Sequence, residues 1–212
     1  MAAIFDFMTR SPPPGAKVSP SVARNREPIL AVLKSRLPKS GVVLEIAAGG
    51  GEHAVYLAAA LPGLLWRPTD PDPQALTSIA AWRDQAASPN LLSPLRLDAS
   101  DPDAWPVERI DAAVNINMIH ISPWAATMGL MTGVGRRLPP GGVLFLYGPF
   151  VEAGVETAPS NLAFDLDLKR RNPAWGVRRL DDVAAVAARH GLGLSERIAM
   201  PANNLAVFFR KT

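Results

Sequence analysis

The apolar run Val42-Val43-Leu44-Glu45-Ile46 passes directly into Ala47-Ala48-Gly49-Gly50-Gly51 and then into the helix-patterned stretch Glu52 to Leu61. A strand that ends in a glycine turn and opens a helix restricts the possible folds sharply. The run is short and β-branched, as a buried parallel strand requires. Glycine lets the backbone take positive φ and approach a ligand closely, and the helix beyond it offers free N-terminal N–H groups.

The alternation continues along the chain. Ser19-Pro20 reads as an N-cap with proline in the first turn, and Val22, Ile29, Val32, Leu33 and Leu37 follow at helical spacing, with Pro28 a kink or restart. Leu64 to Thr69 is predicted as a second strand, Asp72-Pro73 as the cap of a helix to about Ala87, and Pro94 to Leu97 as a third strand. Asp111 to Asn117 reads as a fourth strand, Ser122-Pro123 as the cap of a helix carrying Trp124, Leu130, Met131, Val134 and Leu138, and Val143 to Tyr147 as a fifth strand. Helices are expected over Pro159 to Arg171 and Asp181 to His190. The runs Leu194 to Met200 and Leu205 to Arg210, joined by Pro201-Ala202-Asn203-Asn204, form an antiparallel hairpin. The pattern predicts an α/β, Rossmann-like fold: a seven-stranded, mostly parallel sheet closed by a C-terminal antiparallel hairpin, with helices on both faces. A flexible arm is expected over residues 1–18 and a single domain over 19–212.

Composition narrows the chemistry. There is no cysteine in the 212 residues, which excludes thiolate zinc sites, iron–sulfur clusters and a cysteine nucleophile, and which agrees with a cytoplasmic location. His53, His120 and His190 lack zinc-like spacing, so no metal is expected. No stretch is long and apolar enough for a membrane span, and Met1 to Arg10 lacks the basic start of a secretory signal. A net charge of +3 is too small to argue for nucleic acid.

Two cofactors can use the glycine loop. Gly49-x-Gly51-x-x-Ala54 fits the dinucleotide fingerprint, and Glu45 to Gly51 fits the E/D-x-G-x-G-x-G loop that binds S-adenosylmethionine (SAM), with Ala47 in the first glycine slot. Acids elsewhere favour SAM. Glu45 can meet an ammonium, Asp70 at the end of the second strand can accept ribose hydroxyls, and Asp98 at the end of the third can bond an adenine amino group. Tyr147 has Val151 four residues on, so the Tyr-x-x-x-Lys pair of short-chain dehydrogenases is absent.

The blocks Ser19-Pro20-Ser21-Val22-Ala23-Arg24-Asn25-Arg26-Glu27-Pro28, Leu44-Glu45-Ile46-Ala47, Asp70-Pro71-Asp72-Pro73, Asn115 to Trp124, Tyr147-Gly148-Pro149-Phe150 and Met200 to Leu205 carry a likeness. Together they resemble domain of unknown function 938, related to the methyltransferase-like 26 proteins. The likeness runs from about Ser19 to the C-terminus and implies a class I SAM-dependent methyltransferase fold. It supplies no substrate. The family's usual loop reads closer to A-S-G-T-G-Q-H; here the loop glycines and His53 are kept, while Thr and Gln are replaced.

The cofactor candidates are therefore Arg24, Asn25, Glu45, Ala47, Gly49, Gly51, His53, Asp70, Pro71, Asp98, Asn117 and Met118. His120 is a candidate base or substrate orienter, set against a plain capping role, and Tyr147 and Asn203 are candidates for the substrate side. Asn115 and Asn117 alternate on the fourth strand and so should share a face. Asn203-Asn204 also reads simply as a turn that tolerates positive φ. Asn117-Met118 stands where amine-directed nucleic-acid methyltransferases carry D/N/S-P-P-Y/F, and cytosine-C5 methylation needs a missing cysteine. What remains is O- or N-methylation of a small molecule. A non-catalytic SAM-binding module, an RNA or protein methyltransferase suggested by the pI of about 9.6, and an NAD-dependent oxidoreductase stay as alternatives. No membrane partner is expected, and the sequence leaves the oligomeric state open.

Overall fold

The structure, a computed structural model, describes residues 11–212. The reading of Met1 to Arg10 lies outside the described residues. The strand order across the seven-stranded mixed sheet is β3 (Leu95–Arg96), β2 (Leu64–Asp70), β1 (Gly41–Ile46), β4 (Ala112–Ile116), β5 (Val143–Gly148), β9 (Asn204–Lys211), β8 (Leu192–Met200). Contacts gather into two compact units, one comprising the chain up to Leu97 with Ile110–Val114, the other Asp98–Arg109 with Asn115–Thr212.

The first unit contains α1 (Pro20–Leu33), β1 (Gly41–Ile46), α2 (Glu52–Ala60), β2 (Leu64–Asp70), α3 (Pro73–Ala86) and β3 (Leu95–Arg96). β1 pairs parallel with β2, and β2 with β3. Val43, Leu44, Leu57, Trp66 and Ile79 are fully buried, so the apolar run of β1 meets apolar partners as its pattern requires. Asn90 ties the elements together by donating to the carbonyls of Ala58 and Leu64 at 2.9 and 2.8 Å. Its own carbonyl accepts the Trp66 N–H, which extends the parallel pairing beside β2. The expected Asp72 cap is present: its carboxylate accepts the Gln74 N–H at 2.9 Å, with Pro73 next.

The second unit contains the end of β4 (Ala112–Ile116), α4 (Trp124–Arg137), β5 (Val143–Gly148), β6 (Phe150–Val151), α5 (Pro159–Arg171), β7 (Arg178–Arg179), α6 (Leu180–Arg189), β8 (Leu192–Met200) and β9 (Asn204–Lys211). β9 runs antiparallel to both β5 and β8, with a bulge between Leu194 and Glu196. Leu130, Val134, Phe145, Leu146, Val183 and Phe209 are fully buried at its centre.

Several local expectations need correction. Pro28 does not restart the helix, because α1 is continuous from Pro20 to Leu33 with Pro28 inside it. Ser19 begins that helix without a side-chain cap bond; its hydroxyl pairs with Ser21 instead. Ser122 does not cap α4, because its hydroxyl donates to the Met118 carbonyl at 2.8 Å and Pro123 takes the cap position. The third strand stops at Arg96, so Asp98 lies beyond it. β4 ends at Ile116, and Asn117 turns to φ 64°, which removes the alternation that put Asn115 and Asn117 on one face. Within the supposed loose arm, Lys17 is anchored: its N–H donates to the Ser78 hydroxyl at 2.7 Å and its carbonyl accepts the Trp82 indole N–H at 3.2 Å. The parallel pair β6–β7 was too short to leave a sequence signal. Among the described residues no helix is long and apolar enough to cross a membrane.

Candidate cofactor and substrate sites

In the first unit the chain after β1 makes a tight turn through three left-handed residues: Ala47 at φ 58°, Gly49 at 57° and Gly51 at 93°. Two of the glycines are also required by close neighbours. A Cβ on Gly51 would lie 2.9 Å from the Ile79 Cα, and one on Gly50 would lie 2.9 Å from the Lys17 carbonyl oxygen. Gly49 differs. Its Cβ position meets nothing within 4 Å, so the bare backbone there faces open space.

Asp70 sits behind this opening at the end of β2. One oxygen accepts the Gly49 N–H at 2.9 Å and the other the Asp72 N–H at 3.0 Å. A carboxylate has about four acceptor positions, so each oxygen keeps one for a ligand hydroxyl. Burial raises the Asp70 pKa, and the two N–H bonds oppose that. These features fit a ribose diol resting against a glycine turn. Pro71 is exposed beside Asp70.

Glu45 is placed differently from its expected contact with an ammonium. It is 2% exposed, and its carboxyl accepts the Trp66 indole N–H at 2.6 Å. Burial, with a smaller push from the Asp70 charge, drives its pKa up to about 8 despite that bond. Glu45 thus anchors β2 through Trp66 and is mostly protonated at neutral pH.

The block around Arg24 divides into exposed and buried members. Arg24 and Glu27 are exposed, whereas Asn25 is buried with its carboxamide oxygen 2.8 Å from His53 Nε2. That contact links α1 to the start of α2. Burial, with the nearby Arg26 charge, lowers the His53 pKa to about 4, so the ring is neutral and donates through Nε2. Arg26 was not singled out from sequence, yet it is the half-buried cation of this cluster. Its guanidinium stacks on Tyr56 at 5.0 Å, and its Nε is buried without a hydrogen-bond partner among the described residues. Glu52 is also buried; its carboxylate accepts the Ser19 N–H at 2.5 Å. Alternate spacing in Arg24-Asn25-Arg26 was the only available signal, and it does not say which arginine turns inward.

The second unit carries the remaining candidates. Asp98 is exposed and one carboxylate oxygen accepts both the N–H and hydroxyl of Ser100, leaving the other oxygen. Asn117 donates its N–H to the Tyr147 carbonyl at 2.8 Å, joining the turn after β4 to β5. Tyr147 lies within β5 rather than after it and is 4% exposed. Met118 is half-buried in the short 3-10 turn Met118–His120.

His120 is completely buried. Its carbonyl accepts the Gly176 N–H at 3.0 Å, its Nδ1 is 3.4 Å from the Arg178 N–H, and its ring meets Phe150 edge-on at 5.0 Å. Burial, aided by the Arg178 charge, lowers its pKa to about 3. The neutral ring therefore carries its proton on Nε2, which is buried without a partner among the described residues. Arg178 pins the same turn: it donates to the carbonyls of Ile119, Ser122 and Ala174 at 2.9, 2.6 and 2.9 Å, and stacks on Trp124. Asn203 is exposed at φ 58° in the β8–β9 turn, as its sequence suggested, and Ala202 shares the left-handed conformation at 57°. The described residues contain no cluster of three potential metal ligands.

A family profile described as a protein of unknown function, DUF938, matches residues 16–211. Among solved structures the chain is similar to an O-methyltransferase family protein from Burkholderia thailandensis, with a TM-score of 0.77 and 14% identity over 91% of this chain and 57% of that one. It is similar to an O-methyltransferase family 2 protein from Planctomyces limnophilus in complex with apigenin, with a TM-score of 0.75 and 17% identity over 91% and 60%. It also resembles human N-acetylserotonin methyltransferase in complex with SAM, with a TM-score of 0.71 and 13% identity over 90% and 52%. The chain thus spans a little over half the length of these proteins. At such identities the likeness is one of fold: a Rossmann-like α/β methyltransferase fold.

Proposed function

The chain belongs to the DUF938 family, and from that premise we propose that it is a SAM-dependent methyltransferase acting on an oxygen or nitrogen of a small molecule. The observation that carries this reading is the join between fold and site. A sheet closed by the antiparallel β8–β9 hairpin, which a purely parallel dinucleotide fold does not need, also ends β1 in an open glycine turn gripped by Asp70.

When bound, SAM supplies a methyl group on a positively charged sulfur. The chain's own residues bind and orient. Asp70 accepts the ribose hydroxyls with its two remaining acceptor positions while its Gly49 bond holds the turn in shape. Arg26 takes the methionyl carboxylate, because its Nε is already out of water without a partner. Asn25 and His53 hold α1 against α2 and keep Arg26 in register. In this reading His120 is a positioning residue: a wholly buried ring with a pKa near 3 orders the Met118–His120 turn more readily than it takes a substrate proton. Displacement at a sulfonium methyl needs alignment first, and a base only for a protonated nucleophile.

A crystal structure with S-adenosylhomocysteine tests the assignment. The ribose should lie on Asp70 and the carboxylate on Arg26. A ligand that avoids both residues, or a glycine turn that takes up NAD instead, would overturn it.

A further inference from the structure

Within the second unit, a cavity of about 200 Å³ lies where the chain leaves β6 and where β8 turns into β9. Phe150, Met200 and Leu205 are among its apolar lining. Its polar lining is unusual in what it has left to offer. Asn161, 8% exposed, spends its amide N–H on the Asn203 carbonyl at 2.9 Å, and Asn204 spends its own on the carbonyls of Pro201 and Ala202. Amides facing carbonyl oxygens must present nitrogen to them, so the orientation of both side chains is fixed. Asn203 likewise directs its nitrogen to the Ser160 hydroxyl at 3.0 Å. Three carboxamide oxygens remain as acceptors.

The charges point the same way. Arg197 is the lining's one cation, and it is held bidentately by Glu152, Nε to Oε2 at 2.5 Å and Nη2 to Oε1. Glu156, on the same lining, has no ion-pair partner among the described residues. The cavity therefore has an uncompensated negative charge, carboxamide oxygens left to accept, and an apolar share of its lining.

We propose that this cavity binds a small organic amine, its ammonium or N–H groups meeting Glu156 and the asparagine oxygens and its carbon body lying on Phe150, Met200 and Leu205. Organic anions are disfavoured there, because the only guanidinium is already engaged and Glu156 repels them. The proposal concerns the second unit alone and does not rest on SAM binding by the first.

Benzylamine and benzoate make a matched pair of probes of similar size and opposite charge. Each is titrated, without SAM, into the ¹⁵N-labelled full chain while the side-chain amide signals of Asn161, Asn203 and Asn204 are followed. Benzylamine should shift these signals saturably and bind at least about fivefold more tightly than benzoate, with the preference lost in Glu156→Gln, an exposed position that leaves the fold intact. Benzoate binding as well as benzylamine, amide signals that do not move, or a preference that survives Glu156→Gln would each overturn the proposal.

Discussion

Glu45 and Asp70 end neighbouring strands, and burial pushes both carboxyls up, yet they do different things. Asp70 holds backbone N–H groups at an opening; Glu45 is sealed under Trp66. Between its ordinary value of 4.5 and about 8, folded Glu45 keeps a proton that the unfolded chain has lost, so its contribution to stability falls as pH rises through that window. Glu45→Gln keeps an acceptor for the indole and removes the titration. Melting curves from pH 5 to 8 should therefore show the variant gaining on the wild type toward the alkaline end, and parallel profiles would contradict the placement of Glu45. The same scale separates the two arginines. Arg26→Ala should weaken S-adenosylhomocysteine binding by about 1–3 kcal/mol, as expected for a charge-assisted bond. Arg24→Ala, on an exposed side chain, should stay within about 0.5 kcal/mol. The reverse order in fluorescence titration would return the clamp to Arg24.

Among the elements, α4 shows how small residues set a helix's distance from its neighbours. A Cβ on Gly129 would overlap the Ala99 carbonyl, and one on Gly133 would lie 2.5 Å from the Trp105 ring. Gly133→Ala must displace that indole, whose N–H also bonds the Asp98 carbonyl at 2.9 Å. Overpacking of this kind should cost about 1–3 kcal/mol in urea unfolding; a neutral variant would mean that α4 packs elsewhere. The sequence showed α4 through its apolar face but not this glycine seam, because helical periodicity marks the buried side without naming what it touches. Strand and helix bodies were legible for a related reason: β-branched runs, proline starts and glycine stops are local signals, and Pro159–Arg171 was read to the residue. Ends governed by tertiary bonds were not. Ser122 looks like a cap until the Met118 carbonyl competes for its hydroxyl, and Asn117 looks like strand until its N–H turns to Tyr147. In the candidate site the glycine turn and Asp70 were visible as motif and spacing. Glu45 facing Trp66, and Arg26 turning inward rather than Arg24, depend on burial that no motif encodes.

The chain as a whole passes out of the first unit at Leu97, returns for Ile110–Val114, and leaves it again at Asn115. Neither unit is a contiguous segment, so neither can complete its fold from an uninterrupted stretch of chain. We expect residues 19–212 to unfold as one cooperative domain. Scanning calorimetry should show a single transition with matching calorimetric and van't Hoff enthalpies; two resolved transitions would contradict that. The central claim, that the glycine turn and Asp70 hold SAM, is tested most directly by isothermal titration of the wild type and Asp70→Ala with SAM and with NAD. The account predicts that SAM binds one site on the wild type, that the variant loses about 1–3 kcal/mol of that affinity, and that NAD does not bind. Unchanged SAM affinity in Asp70→Ala, or NAD binding in place of SAM, would contradict it.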